Sequence, residues 1–200
     1  MSNSMSYHYP SKKHLLDLQE ATKAFIGISH WRNPTAVTLT VRKVQVFGST
    51  RVWADLHECS KNLRHFLNLL NKRAYRSQGK KIRIGCIPVI EQMQDGRYHY
   101  HLALDRPEHI SAFRFRFLVA QLWAKTHWGY KQVRVEPKCD DGWINYIAKL
   151  KSKASYPDAF DWLNFTPEPS IHLEPYRCSS DIRERFDSAV LIGDRERMNQ

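Results

Sequence analysis

Apolar positions recur along the chain with two different spacings. Where they recur every three to four residues they predict a helix, and where β-branched and apolar residues crowd together they predict a buried strand. Helices are predicted over residues 12–28, 53–75, 109–125, 143–151 and 180–190, and strands over residues 36–41, 82–91, 97–104 and 132–136. Asp95-Gly96 predicts a hairpin turn between the second and third strands, and Pro88 indicates an edge or a bulge in the second.

The order of these elements predicts an α+β fold in which helices flank a central antiparallel β-sheet. The sheet and its helices fall within residues 35–153, which we predict to form one domain. Residues 1–34 are predicted to be a partly helical N-terminal extension. Residues 154–200 contain several prolines and are predicted to be an irregular C-terminal extension with a short helix.

Composition and charge describe a folded, basic protein. Hydrophobic residues make up 42% of the chain and charged residues 26%, which separates it from disordered proteins. Lys and Arg number 31 against 20 Asp and Glu, so the net charge is +11. This excess favours a polyanionic partner such as nucleic acid, although a basic protein with no specific nucleic-acid ligand is an equal alternative from charge alone.

The cysteines and the apolar runs predict an intracellular protein without a membrane segment. The four cysteines lie far apart with no C-x-x-C pair, which predicts reduced thiols and argues against a zinc ribbon or a disulfide framework. No apolar run reaches the length of a membrane span, and the first ten residues lack the apolar core of a signal peptide. We therefore expect a cytoplasmic location.

Two histidines and a glutamate form the sharpest chemical pattern. His99 and His101 are two residues apart on a predicted strand, so their side chains share one face. Glu91 ends the preceding strand, and hairpin pairing brings its carboxylate beside them. Two nitrogens and one oxygen suit Mn²⁺ or Mg²⁺, with positions left for water and phosphate. The structural alternatives are a strand that carries two histidines by chance and a solvated glutamate.

Tyr146 and Lys149 are the candidate nucleophile and its accompanying cation. They are three residues apart on a predicted helix and therefore share one face. A tyrosine hydroxyl has an ordinary pKa of about 10, so a nearby cation or metal ion is needed to favour the phenolate at neutral pH. The alternative interpretation places Tyr146 against the sheet as a core residue.

Three segments resemble, in order and spacing, the motifs of the HUH endonuclease superfamily, specifically its single-tyrosine rolling-circle replication initiators of the Rep type. The segments are Val37-Thr38-Leu39-Thr40, then Glu91 with Arg97-Tyr98-His99-Tyr100-His101-Leu102-Ala103-Leu104, and Trp143-Ile144-Asn145-Tyr146-Ile147-Ala148-Lys149. The resemblance covers roughly residues 35–153. Tyr100 departs from the aliphatic residue often found between the two histidines, but it is bulky and largely apolar.

The resemblance implies an RRM-related HUH domain and an endonuclease that nicks and rejoins single-stranded DNA through a 5′-phosphotyrosine intermediate. It implies that Tyr146 attacks with help from Lys149, and that Glu91, His99 and His101 bind Mn²⁺ or Mg²⁺. The expected substrate is the origin of a plasmid or phage in a bacterial host, as a single strand or a DNA hairpin. The sequence lacks a G-x-x-x-x-G-K-[ST] phosphate loop, so we expect a host helicase to unwind and a host polymerase to extend.

Further residues are candidates for contact with DNA. Polar and basic side chains that would meet phosphates are Thr38, Thr40, Arg42, Lys43, Arg51, Lys151 and Lys153. Trp53 or Trp128 would stack on unpaired bases. For each of these residues, a solvated basic face or a core aromatic is an equal alternative.

Other functions stay open at this point. Glu91 and the late position of Tyr146 argue against a relaxase of the same superfamily, but a single-tyrosine transposase has overlapping motif spacing. From a different class, the chain could be a non-catalytic nucleic-acid-binding module that retains the sheet. Loss of a ligand or of the tyrosine would have favoured that module, yet all the expected side chains are present.

Overall fold

The computed structural model describes residues 28, 31–80, 82–147 and 159–166. Within them the strands are β1 (Pro34–Val41), β2 (Val44–Phe47), β3 (Thr50–Trp53), β4 (Cys86–Gln92), β5 (Tyr98–Asp105) and β6 (Gly129–Glu136). The α-helices are α1 (Leu56–Tyr75), α2 (Ala112–Ala124) and α3 (Asp141–Ile147), with 3₁₀ turns at Arg76–Lys80 and Trp162–Asn164. The helix predicted over residues 12–28, apart from its last residue, and the helix predicted over residues 180–190 lie outside the described residues.

Four of these strands form one antiparallel sheet in the order β4-β5-β1-β6. Strand β1 is central and pairs with β5 on one side and with β6 on the other. Strands β4 and β5 pair across the predicted turn, where Gly96 has a φ of 77°, a left-handed conformation that favours glycine. The predicted α+β fold, an antiparallel sheet flanked by helices, is confirmed.

The larger hydrophobic core lies between one face of the sheet and helices α1 and α2. Its fully buried side chains include Val37, Leu39, Leu63, Phe66, Leu70, Tyr100, Leu102, Phe115 and Trp123. Helix α1 starts where Asp55 accepts a hydrogen bond from the backbone N–H of Glu58 at 2.7 Å, which caps the helix just before its apolar stripe. This core fixes the sheet from one side and leaves its other face available.

A smaller core covers part of that other face. Helix α3 buries Ile144 and Ile147 against residues of β4, β5 and β1, and Phe160 packs into the same cluster. Helix α3 is thereby held across the sheet, on the face opposite to α1 and α2. Among the described helices, none is both long and apolar enough to span a bilayer.

Residues 159–166 run beside β4, at the end of the strand order. The backbone groups of Cys86 and Thr166 exchange two hydrogen bonds of 2.7 and 2.8 Å, and Phe160 forms a bridge with Val89. Strand β4 is thus an edge strand that this segment covers in part, in agreement with the edge indicated by Pro88. The segment falls within the residues predicted to form an irregular C-terminal extension.

The β2–β3 hairpin was not predicted. The prediction started a helix at Trp53, which is wrong, because Trp53 ends β3 and α1 begins at Leu56. Each hairpin strand has only four residues, too few for an alternating pattern to stand out in the sequence. Its two-residue turn starts at Gly48, whose φ of 58° again favours glycine.

Three further element boundaries differ from the predictions. The strand predicted from residue 82 begins at Cys86, because the buried Ile84 donates its backbone N–H to Oδ1 of Asn71 at 2.8 Å instead of joining the ladder. The helix predicted from residue 109 begins at Ala112, where Ser111 acts as the N-cap. Strand β6 begins at Gly129, three residues before its predicted start.

The described cysteines agree with the prediction of reduced thiols. Cys59, Cys86 and Cys139 are free and buried. Burial raises the pKa of the Cys59 thiol to about 12, so it stays protonated at neutral pH. These three cysteines are therefore core residues of the fold.

Candidate metal and nucleophile site

Strand β5 presents the two predicted metal ligands on one face of the sheet. His99 and His101 alternate with Tyr98 and Tyr100, whose side chains pack into the larger core on the other face. Tyr100 is completely buried there. The alternation confirms that Tyr98 points away from the histidines, as the period of a regular strand predicts.

Glu91 lies on the histidine face, near the end of β4. It is the register partner of His99, and its Oε2 lies 3.4 Å from Nε2 of His101. The side chains of His101 and Glu91 are only 11% and 18% exposed. A carboxylate and an imidazole held this close in a partly enclosed place favour a proton or a metal ion between them.

Two threonines of β1 lie directly behind the histidines. Thr38 is the register partner of His101, and Thr40 is the register partner of His99. In each pair the threonine Oγ1 lies 3.4 Å from the histidine Nδ1. A hydrogen bond at Nδ1 leaves Nε2 of the same ring for a metal ion and fixes the orientation of the ring. Contact of either threonine with DNA stays a prediction.

Helix α3 carries Tyr146 to the same face. The helix begins where Oδ1 of Asp140 accepts the backbone N–H of Trp143 at 2.9 Å. Ile144 and Ile147 then point into the smaller core, which fixes the rotation of the helix about its axis. Tyr146 falls on the adjoining side of the helix and is 41% exposed. The interpretation of Tyr146 as a buried core residue is therefore wrong.

The Tyr146 ring meets His101 directly. The two ring centroids are 5.2 Å apart, with the rings nearly perpendicular. Trp143 stacks on Tyr146 at 5.4 Å and donates its indole N–H to the carbonyl of Leu102 at 3.2 Å. Trp143 therefore ties the tyrosine to strand β5, and its role was not predicted beyond its place in the third motif.

The donor set of the three predicted ligands fits a hard divalent ion. Neighbouring donors on an octahedral ion of this kind are about 3 Å apart, close to the separation of the His101 and Glu91 donor atoms. Burial lowers the pKa of His99 below its ordinary value, against the opposing effect of Asp95, and so favours the neutral imidazole that ligates metals. Within the described residues, however, no three His, Cys, Asp or Glu side chains already form a closed metal cage.

The predicted basic residues divide into two groups. Lys149, Lys151 and Lys153 lie outside the described residues, so their roles stay predictions. Arg42 and Lys43 are exposed and hold neighbouring loops: Nε of Arg42 donates to the Gly129 carbonyl at 2.7 Å, and Nζ of Lys43 donates to the Asp95 carbonyl at 2.6 Å.

Of the two tryptophans predicted to stack on bases, only one is available to do so. Trp128 is 3% exposed, and its backbone N–H donates to Oδ1 of Asn62 in the core. The prediction that it stacks on DNA is wrong. Trp53 is 57% exposed.

One cation beside the site was missed. Arg134 of β6 is the register partner of Thr38, in line with His101 across the sheet, and its side chain is 79% exposed. It forms an ion pair with Glu136 at 2.8 Å. The alternation with Val133 and Val135 was the available signal, because their packing on the larger core turns Arg134 to the opposite face.

Comparison with known families decides the affiliation of the protein. Residues 34–155 match the Replication-associated protein ORF2 family, over more than half of the chain. The chain belongs to this family. Its members are rolling-circle replication initiators, so the resemblance to Rep-type HUH endonucleases is confirmed. No curated protein and no solved structure matches the chain.

The matched range of this replication-associated protein contains every element of the site. It begins at the first residue of β1 and includes the strands that carry Glu91, His99 and His101 as well as the helix of Tyr146. Membership assigns the protein to the initiation of rolling-circle replication, with DNA as its partner.

Proposed function

We propose that this replication-associated protein is a metal-dependent endonuclease that nicks and rejoins single-stranded DNA through Tyr146. The observation that carries the proposal is the ring contact between the exposed Tyr146 and His101, whose Nε2 faces the Glu91 carboxylate. A phenol beside a candidate cation site has what attack on a phosphodiester requires: a nucleophile, and a place for positive charge next to it.

In the proposed reaction the Tyr146 oxygen attacks phosphorus in line and the bond from phosphorus to the 3′ oxygen breaks. The phenol gives its proton to water, and the leaving 3′ oxygen takes up a proton. The products are a 5′-phosphotyrosine and a free 3′-hydroxyl, which a polymerase can extend. One phosphodiester replaces another, so a later 3′-hydroxyl reverses the step and rejoins the strand.

Glu91, His99 and His101 would hold Mn²⁺ or Mg²⁺, which when bound neutralises charge on the phosphate and polarises phosphorus. The remaining contributions come from the chain. Trp143 stacks on Tyr146 and limits the positions of its ring, which favours an in-line approach. The partial enclosure of the ligands excludes some of the water that would weaken their charges.

The remaining roles rest on sequence. Lys149, one helical turn after Tyr146 in the predicted helix, is proposed to balance charge on the phenolate and the phosphate. The proposed substrate is the origin of a plasmid or phage, as a single strand or a hairpin. A host helicase and polymerase are the proposed partners in unwinding and extension.

The test is a denaturing gel of the full chain mixed with a pool of labelled single-stranded DNA and Mn²⁺. The expected result is a labelled band at the mass of the protein that disappears with a chelator and in Tyr146→Phe. Tyr98→Phe is the matched control, since Tyr98 is a nearby tyrosine that packs on the other face of the sheet. It should form as much adduct as the unaltered protein.

Each other outcome points to a different error. An adduct that persists in Tyr146→Phe would mean that another residue is the nucleophile. Cleavage without any adduct would remove the tyrosine mechanism. DNA binding without cleavage, repeated with DNA from the cognate replicon, would favour the non-catalytic binding module.

A further inference from the structure

The β2–β3 hairpin projects an exposed apolar and basic surface beside the site. Its paired positions place Val46, Arg51 and Trp53 on one face, since Val46 pairs with Arg51 and Trp53 with Val44. Val46 is 63% exposed, Trp53 is 57% exposed, and Arg51 is exposed as well. Exposed tryptophan and valine are unusual in a folded domain and indicate a surface that binds something.

The other face of the hairpin is packed against the domain. Phe47 stacks on His127, with ring centroids 5.2 Å apart and the rings within 17° of parallel. Gln45 donates its side-chain amide to the carbonyl of His127. These contacts hold the hairpin in place and turn the face with Val46, Arg51 and Trp53 away from the protein.

The hairpin also begins close to the proposed metal ligands. It starts four residues after Thr40, the neighbour of His99. Lys43, at its base, donates to the carbonyl of Asp95 in the turn that joins the strands of Glu91 and His99. Because backbone and side-chain contacts link the hairpin base to that turn, a strand of DNA lying at the site would pass near the hairpin.

The charge of the hairpin selects the class of ligand. Residues 42–53 contain three basic residues and no acidic residue, in a chain with a net charge of +11. A cation next to an exposed indole matches the two recurring contacts of single-stranded nucleic acid, a phosphate and the face of an unpaired base.

We propose that the β2–β3 hairpin is a DNA-recognition element in which Trp53 stacks on an unpaired base and Arg51 binds an adjacent phosphate, outside the nicking site. The inference rests on the proposed function, because it takes the substrate to be the single strand that Tyr146 cuts. It adds a second contact, through which the protein would hold the strand before and after cleavage.

The experiment measures fluorescence anisotropy of a labelled oligothymidylate of roughly 20 nucleotides, long enough for one binding site, with the full chain in EDTA. Trp53→Ala should weaken binding about tenfold, as loss of one stacked base does, and Trp53→Tyr should restore most of the affinity. Affinity for duplex DNA should change little in Trp53→Ala, because paired bases offer no free face.

Arg51→Ala should also weaken binding of the oligothymidylate, and its effect should depend on salt. For a single strand, losing one phosphate contact lowers the slope of log affinity against log salt by about 0.7. Trp53→Ala should leave that slope unchanged. The control is Phe113→Ala, which removes an aromatic side chain that is 79% exposed on α2 and should bind as the unaltered protein does.

The outcomes separate the inference from the proposed function, because EDTA prevents the metal-dependent reaction during the binding measurement. Unchanged affinity in Trp53→Ala, in a protein that forms the Tyr146 adduct, overturns the hairpin as a recognition element. An equal loss for duplex and single strand overturns base stacking. Weakened single-strand binding in a protein that forms no adduct supports the hairpin and counts against the nuclease alone.

Discussion

Each histidine of the site shares a short polar contact with a threonine of the neighbouring strand. Thr38 and Thr40 approach Nδ1 of His101 and His99, so the ring nitrogen that remains for a metal ion is Nε2 in both cases. Such contacts behind a ligand commonly change metal affinity by about 10- to 100-fold. The two threonines, which sequence alone links to DNA, are thereby positioning residues for the proposed metal ligands.

Thr38→Val and Thr40→Val should each weaken Mn²⁺ binding by roughly tenfold, since valine keeps the shape of threonine without its hydroxyl. Electron paramagnetic resonance of free Mn²⁺ measures the affinity without any DNA. Thr50→Val, on the exposed hairpin, is the control and should bind Mn²⁺ normally. Equal Mn²⁺ affinity in all three variants would show that the hydroxyls do not orient the rings.

At the scale of elements, the segment of residues 159–166 is joined to the histidine strand from the other side of the sheet. Tyr100, between the two histidines, donates its hydroxyl to Oδ2 of Asp161 at 3.0 Å. Asp161 also accepts from Ser60 at 2.9 Å and from Asn164 at 2.7 Å. The tyrosine that departs from the usual aliphatic residue therefore has a buried partner of its own, and links β5 to α1 and the segment.

Tyr100→Phe should lower the free energy of unfolding by about 1.5–3 kcal/mol, the usual contribution of a hydrogen bond to a charged group. Burial raises the pKa of Tyr100 well above its ordinary value, so the hydroxyl stays a donor throughout the accessible pH range. Urea unfolding measures the loss, with Tyr98→Phe as a partly exposed control expected within about 0.5 kcal/mol of the unaltered protein.

A double-mutant cycle with Asp161→Asn assigns that loss to the pair. The coupling free energy between the two positions should be about 1 kcal/mol or more, because the residues are in direct contact. Additive effects would mean that Tyr100→Phe acts through packing alone and that the segment does not support the histidine strand.

On the scale of the whole molecule, the two faces of the sheet have different tasks. The larger core and both long helices lie on one face, while the histidines, Glu91 and Tyr146 lie on the other, beside the smaller core. Folding therefore does not depend on a metal ion to complete a core, in contrast to small zinc-structured domains. The same separation allows the ligands to remain partly exposed to a substrate.

Removal of metal should accordingly leave the protein folded. Thermal unfolding followed by circular dichroism should give a cooperative transition in EDTA, and Mn²⁺ at about 100 times its dissociation constant should raise Tm by roughly 5–10 °C. Glu91→Gln should lose most of this increase while staying folded in EDTA. An unfolded protein in EDTA would mean that the ion is structural.

Local patterns were sufficient for the main elements of the sheet and for the composition of the site. The β-branched run of β1, the Asp95-Gly96 turn and the spacing of His99 and His101 depend on neighbours a few residues away, and the strand period then sets which side chains share a face. Helix starts were less accurate, since Asp55 and Ser111 determine them through single capping hydrogen bonds.

The sequence by itself determined which strands and helices form, and which side chains could bind a metal ion or attack a phosphate. Only the tertiary structure decided that Tyr146 meets His101, that Trp128 is buried while Trp53 is exposed, and that Asp161 returns to Tyr100. These contacts join residues far apart in the chain, or depend on how helices and loops pack on the sheet. Periodicity describes one element at a time, whereas packing fixes the rotation and position of each element against the others.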